Sequence, residues 1–184
     1  ITPDPLGIGA SPFDIGFVPN VSYYLDPLGL LTVILASNDP VIDADDRKNY
    51  PGATFVRADD LRADSLRNER DVIVSSHGSP GSVTFGSAGN IGGQDLARRI
   101  NGAGFDATQP GARIAVAACN SATPGVGSPS VAQGVADGTG IRTYGARAND
   151  VAGAQAGTSH SGEAGFATGG GVWVNNGTWV STTA

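Results

Sequence analysis

Two short apolar runs each deliver a reactive side chain. Asp71-Val72-Ile73-Val74-Ser75-Ser76 leads into His77-Gly78, and Arg113-Ile114-Ala115-Val116-Ala117-Ala118 leads into Cys119. Cys119 is the single cysteine of the chain, and His77 is one of two histidines. A thiol attacks as thiolate, so it needs a base or a positive charge beside it. An imidazole, which exchanges its proton near neutral pH, suits that task. The pair reads as a Cys–His nucleophilic enzyme, with Cys119 as nucleophile and His77 as general base and acid. Gly78 carries no side chain to obstruct its N–H. Together with the N–H of Cys119 it could hold an oxyanion. The plain alternative is an inert thiol buried as a small hydrophobe and a histidine that closes a strand. Spacing alone leaves both open.

Those side chains need a scaffold. Each run is β-branched and as long as a buried strand. Parallel neighbouring strands would bring both side chains to one carboxyl edge, where open α/β sheets hold their clefts. The 42 positions between His77 and Cys119 suit a strand–helix–strand crossover with a ribbon inserted. Residues 31–36 and 53–57 read as further strands, 59–68 as a short surface helix, 94–100 and 130–136 as helices, and 141–145 as a fifth strand. Ser82-Val83-Thr84-Phe85 could form a β-ribbon, and residues 171–180 a hairpin turning at Asn176-Gly177. The expected fold is α/β: a mainly parallel sheet flanked by helices, with a β-ribbon after the histidine strand and a C-terminal β-hairpin.

The 184 residues suffice for one sizeable core, and 40% of them are hydrophobic. The net charge of −6 comes without a basic stripe, which argues against nucleic acid and against an anionic membrane surface. One cysteine rules out an internal disulfide. No signal-peptide pattern and no bilayer-length apolar run is present. The chain begins at Ile1 and holds no methionine, as expected of a piece of a longer polypeptide. Asp43, Asp45 and Asp46 lack calcium-loop spacing and read as a solvated acidic loop; no metal and no cofactor are expected. His160 lies in a polar stretch and reads as solvent-exposed. Residues 1–30 hold five of the 11 prolines, no Lys or Arg, and two copies of Asp-Pro-Leu-Gly, at 4–7 and 26–29. They read as a linker with two turns.

An apolar run ending His-Gly followed by one ending Ala-Cys resembles the signature of the clan CD cysteine peptidases, the group of caspases, gingipains and legumains. The self-processing cysteine protease domains of large bacterial toxins are the most similar members, in element order over residues 31–180. The resemblance implies a caspase-like fold and a Cys119–His77 dyad without an orienting carboxylate, with Gly78 and Cys119 as oxyanion donors. Those toxin domains respond to inositol hexakisphosphate held by dense Lys/Arg clusters. The 11 basic residues here are dispersed, so that activator is not expected. Arg113, Arg142 and Arg147, on or near strands, could favour an acidic residue in a substrate.

The stretch Val18-Pro19-Asn20-Val21-Ser22-Tyr23-Tyr24-Leu25-Asp26-Pro27-Leu28-Gly29-Leu30 resembles the end of an Rhs-repeat core. There an Asp-Pro-x-Gly-Leu segment marks the self-cleavage that frees a C-terminal toxin. Asp26, Pro27, Gly29 and Leu30 match it, although Val21 stands where many such cores have proline. The resemblance implies a linker over 1–30 and a toxin domain over 31–184. It further implies delivery by a secretion apparatus such as type VI, action on proteins in the cytoplasm of a target cell, an Rhs shell, and a cognate immunity protein. The rival expectations are a Cys–His deamidase or acyltransferase toxin, and a secreted binding module whose thiol is inert.

Overall fold

Strands β1 (Leu31–Leu35), β3 (Asp71–Ser75) and β7 (Arg113–Ala117) are apolar on both faces because both faces are covered. The computed structural model describes residues 31–146 and 179–182. Alternation along each strand divides the core. Ile34, Val72, Val74, Ile114 and Val116 pack on one face with Leu96, Ile100, Val131 and Val135. Leu31, Val33, Leu35, Ile73, Ala115 and Ala117 pack on the other with Tyr50 and Tyr144. Val72, Ile73 and Val74 are fully buried. Each such side chain stabilises the fold by about 2 kcal/mol.

The helices supply the cover. α2 (Gly93–Gly102) buries Leu96, Ala97 and Ile100 on one face, as expected. α3 (Val131–Thr139) is capped by Ser130, whose hydroxyl accepts from the Gln133 N–H, and ends on Gly140 at φ 75°. The two helices meet backbone to backbone: a Cβ on Gly134 would lie 2.9 Å from the Cα of Gly93. Only glycine permits that approach.

The sheet order is β2-β1-β3-β7-β8-β9, where β2 is Thr54–Arg57, β8 Thr143–Ala146 and β9 Trp179–Thr182. The first five strands are parallel and β9 runs antiparallel to β8. A second, antiparallel sheet of β4 (Gly78–Ser79), β5 (Ser82–Thr84) and β6 (Asn90–Ile91) follows the histidine strand. This is the expected α/β architecture, ribbon included. The expected hairpin lies outside the described residues except for Trp179 and Val180, which belong to β9.

Two elements differ from expectation. The polar stretch after β1 is helix α1 (Pro40–Asn49). Asn38-Asp39-Pro40 does end the strand, but Asp39 is also the N-cap and Pro40 opens the first turn. The acidic residues are not a solvated loop: Asp46 is 0% exposed and Asp43 8%. The helix expected over 59–68 is a single 3₁₀ turn (Ala58–Asp60) followed by turns. The Leu66 N–H bonds the Ala103 C=O at 2.9 Å, tying that segment to the end of α2 instead of to a helix of its own.

Candidate active site

The sheet order reverses direction at β1: the chain steps outward to β2, then crosses back to β3. Crevices at the carboxyl ends of such strands are where open α/β sheets bind ligands. The segments that leave β1, β3 and β7 there carry Asp39, His77 and Cys119 respectively.

Register sets the two expected residues side by side. Ser75 pairs with Ala117, and the Ser76 N–H donates to the Ala117 C=O at 3.1 Å. His77 and Cys119 each stand two residues beyond that last pair. The His77 backbone is clamped, because its C=O accepts from the Thr84 N–H at 3.0 Å and from the Ser76 hydroxyl at 3.0 Å. The same hydroxyl reaches the Thr84 C=O at 2.6 Å. This pins the ribbon to the end of β3.

Cys119 sits on a tight turn leaving β7. The Ala118 N–H bonds the Val116 C=O at 3.0 Å, the Ser121 N–H bonds the Ala118 C=O at 3.2 Å, and Asn120 adopts φ 56°. The Ser121 hydroxyl donates to the Val116 C=O at 2.7 Å and accepts from the Ala146 N–H at 2.9 Å, bracing the turn against β8. Cys119 is half-buried as a residue and forms no disulfide.

Gly78 rests on this turn. A Cβ there would lie 2.5 Å from the Cys119 O and 3.3 Å from its N, so no larger residue fits without displacement. The Thr84–His77 bond makes those two residues a hydrogen-bonded pair of the ribbon. Pairs alternate along an antiparallel ladder, so Gly78 opposite Val83 is not bonded across it. Its N–H therefore points out of the ribbon.

The third group was not foreseen. His77 Nε2 lies 2.9 Å from Asp39 Oδ2, and Asp39 Oδ1 accepts from the Val41 N–H at 2.8 Å. The Val41 amide foremost, then the His77 ring, hold the Asp39 carboxyl below its usual range, so it is ionised at neutral pH. An ionised partner accepts, which assigns the proton to Nε2 and leaves the Nδ1 lone pair as the basic position. The side chains of His77 and Asp39 are 55% and 29% exposed. Among the described residues no hydrogen bond joins the imidazole to Cys119: its one partner is the carboxylate. The only sequence signal for Asp39 was its place ahead of a proline after a buried strand.

Arg113 and Arg142 do not belong to this edge. Arg113 opens β7 at the amino end, where its Nε and Nη2 reach Asp71 at 2.8 and 2.9 Å. Arg142 precedes β8 at that same end. Their expected contact with a substrate side chain is therefore excluded by polarity along the strands. Arg147, His160, Asp26, Pro27, Gly29 and Leu30 lie outside the described residues. Among the described residues, no three His, Cys, Asp or Glu side chains group as for a metal ion, and no helix is long and apolar enough to cross a membrane. No protein-family model matches this chain, and no curated protein matches it.

Proposed function

We propose that this protein is a cysteine endopeptidase that acts as an effector toxin. The observation that carries the reading is the seating of His77-Gly78 on the Cys119 turn at the carboxyl edge of adjacent parallel strands. The imidazole takes the Cys119 proton, and the thiolate forms a C–S bond to the scissile carbonyl carbon. The resulting oxyanion accepts from the N–H groups of Gly78 and Cys119. As the C–N bond breaks, His77 returns its proton to the departing amine, leaving a thioester. A water then gives His77 a proton and adds its oxygen to the acyl carbon, and the C–S bond breaks to release the acid and restore the thiol.

The Asp26–Leu30 resemblance supports delivery as the tip of an Rhs polypeptide, into the cytoplasm of a target cell. An immunity protein in the producing cell follows from the same resemblance. The chain's net charge of −6 favours a partner that is basic at its contact face.

Target cells expressing the chain are expected to accumulate new protein N-termini, and cells expressing Cys119→Ala to show none and to survive. Full killing by Cys119→Ala would remove the thiol from the mechanism. Target proteins gaining one dalton at glutamine, with no new termini, would replace proteolysis by deamidation.

A further inference from the structure

We infer that Asp39 is a positioning residue for His77, so that the reaction runs on an Asp39–His77–Cys119 relay and not on a bare dyad. The inference rests on the cysteine–histidine reading above. Three observations carry it. The carboxylate meets the ring at 2.9 Å, a charge-assisted distance. The other carboxylate oxygen is fixed by the Val41 N–H at the first turn of α1, so the anion is held where it meets the ring. Its segment leaves β1, while Cys119 leaves β7, and β3 with His77 lies between them. The ring is thus approached by the carboxylate from one neighbouring strand, and its strand neighbour on the other side bears the thiol.

The chemistry follows from the tautomer. With Nε2–H donated to Asp39, the ring is left basic at Nδ1. When Nδ1 receives the thiol proton, the new imidazolium sits against an anion already in place. The carboxylate takes no proton; it orients the ring and stabilises its charged form. The N-cap bond keeps Asp39 from swinging away, so the opening turn of α1 is part of the site.

The double role of Asp39 also makes it testable, because asparagine caps a helix as well as aspartate does. Asp39→Asn and Asp39→Ser keep the cap and remove the charge. In the full chain, iodoacetamide alkylation of Cys119 is measured from pH 5.5 to 8.5 for the native protein, both Asp39 variants, His77→Ala, and the Asp39→Asn/His77→Ala double variant. Both Asp39 variants are expected to melt close to the native protein yet alkylate about tenfold more slowly near pH 7. In the His77→Ala background the Asp39 change is expected to add nothing.

Native alkylation by Asp39→Asn, with His77→Ala slow, would overturn the relay while leaving the dyad. An equal loss from Asp39→Asn with and without His77 would show the carboxylate acting directly on the thiol, and also overturns it. A rate that His77→Ala leaves unchanged would remove the histidine from thiol activation, and the dyad and the relay together.

Discussion

At the residue scale the site depends on one missing Cβ. A methyl group on Gly78 would collide with the Cys119 carbonyl oxygen and with the Ala118 methyl, which would lie 2.9 Å away. Neither neighbour can yield easily, since Ala118 is 1% exposed and the Cys119 turn is braced by Ser121. Gly78→Ala is expected to lower stability by about 1–3 kcal/mol, the usual cost of overpacking. It is also expected to slow alkylation of the thiol in molecules that remain folded. Thermal melts with parallel alkylation rates check this, and a native melting temperature would mean the turn is softer than its contacts imply. His77, Gly78 and Cys119 were legible in the sequence because each follows or ends a complete apolar run whose period fixes where the strand stops. Asp39 was not. Its pairing across 38 positions depends on β1 lying beside β3, and nothing local to Asn38-Asp39-Pro40 encodes which strand becomes its neighbour.

At the element scale α1 escaped the sequence reading because its inward face is polar. Ile42 is buried, but Asp43 and Asp46 share that face in place of an apolar stripe. The helix is announced by its cap and proline, not by its period. Burial pushes the Asp46 carboxyl from 3.8 up to about 7; Asp45 and Asp43 reinforce the rise, while the neighbouring Ser75 hydroxyl and the charge of Arg47 oppose it. The folded protein therefore binds this proton more tightly than the unfolded chain. The contribution is fully present below about pH 4 and is lost as pH rises through about 7. At about 1.4 kcal/mol for each pH unit, a free-energy loss of up to about 4 kcal/mol accrues across that window. Asp46→Asn is expected to flatten the fall between pH 5 and 8 and to be the more stable protein at pH 8. Urea midpoints at the two pH values give the answer, and equal slopes in both proteins would mean that Asp46 already ionises freely in the native state. Ser75, whose hydroxyl lies beside the Asp46 carboxyl, stands two residues before His77, so α1 meets the site from below as well as through Asp39.

At the scale of the whole molecule the parallel sheet separates two tasks by strand direction. The strand–helix alternation and the apolar runs announced a mainly parallel sheet, but the order β2-β1-β3-β7-β8 is set by long-range packing that no single segment determines. That order gathers the partly exposed Asp39, His77 and Cys119 at the carboxyl edge, flanked by Asn38 and Asn120 in the left-handed region at φ 56°. Asparagine tolerates that conformation better than most residues, and unusual backbone collects where loops must aim side chains. The amino edge carries the opposite kind of polar group. Asp71, 1% exposed, accepts two bonds from Arg113 and one from Arg70 at 3.2 Å, joining the starts of β3 and β7. Removing one member of a buried pair leaves the other desolvated without its counter-charge, which costs about 3–5 kcal/mol. Asp71→Ala is therefore expected to lower the urea midpoint markedly. Below the unfolding transition, Cys119 should still alkylate at the native rate and with the native pH dependence, because the remaining length of β3 separates Asp71 from the carboxyl edge. If instead the alkylation profile shifts in the folded protein, the sheet transmits strain from one edge to the other, and the division of tasks along the strands fails.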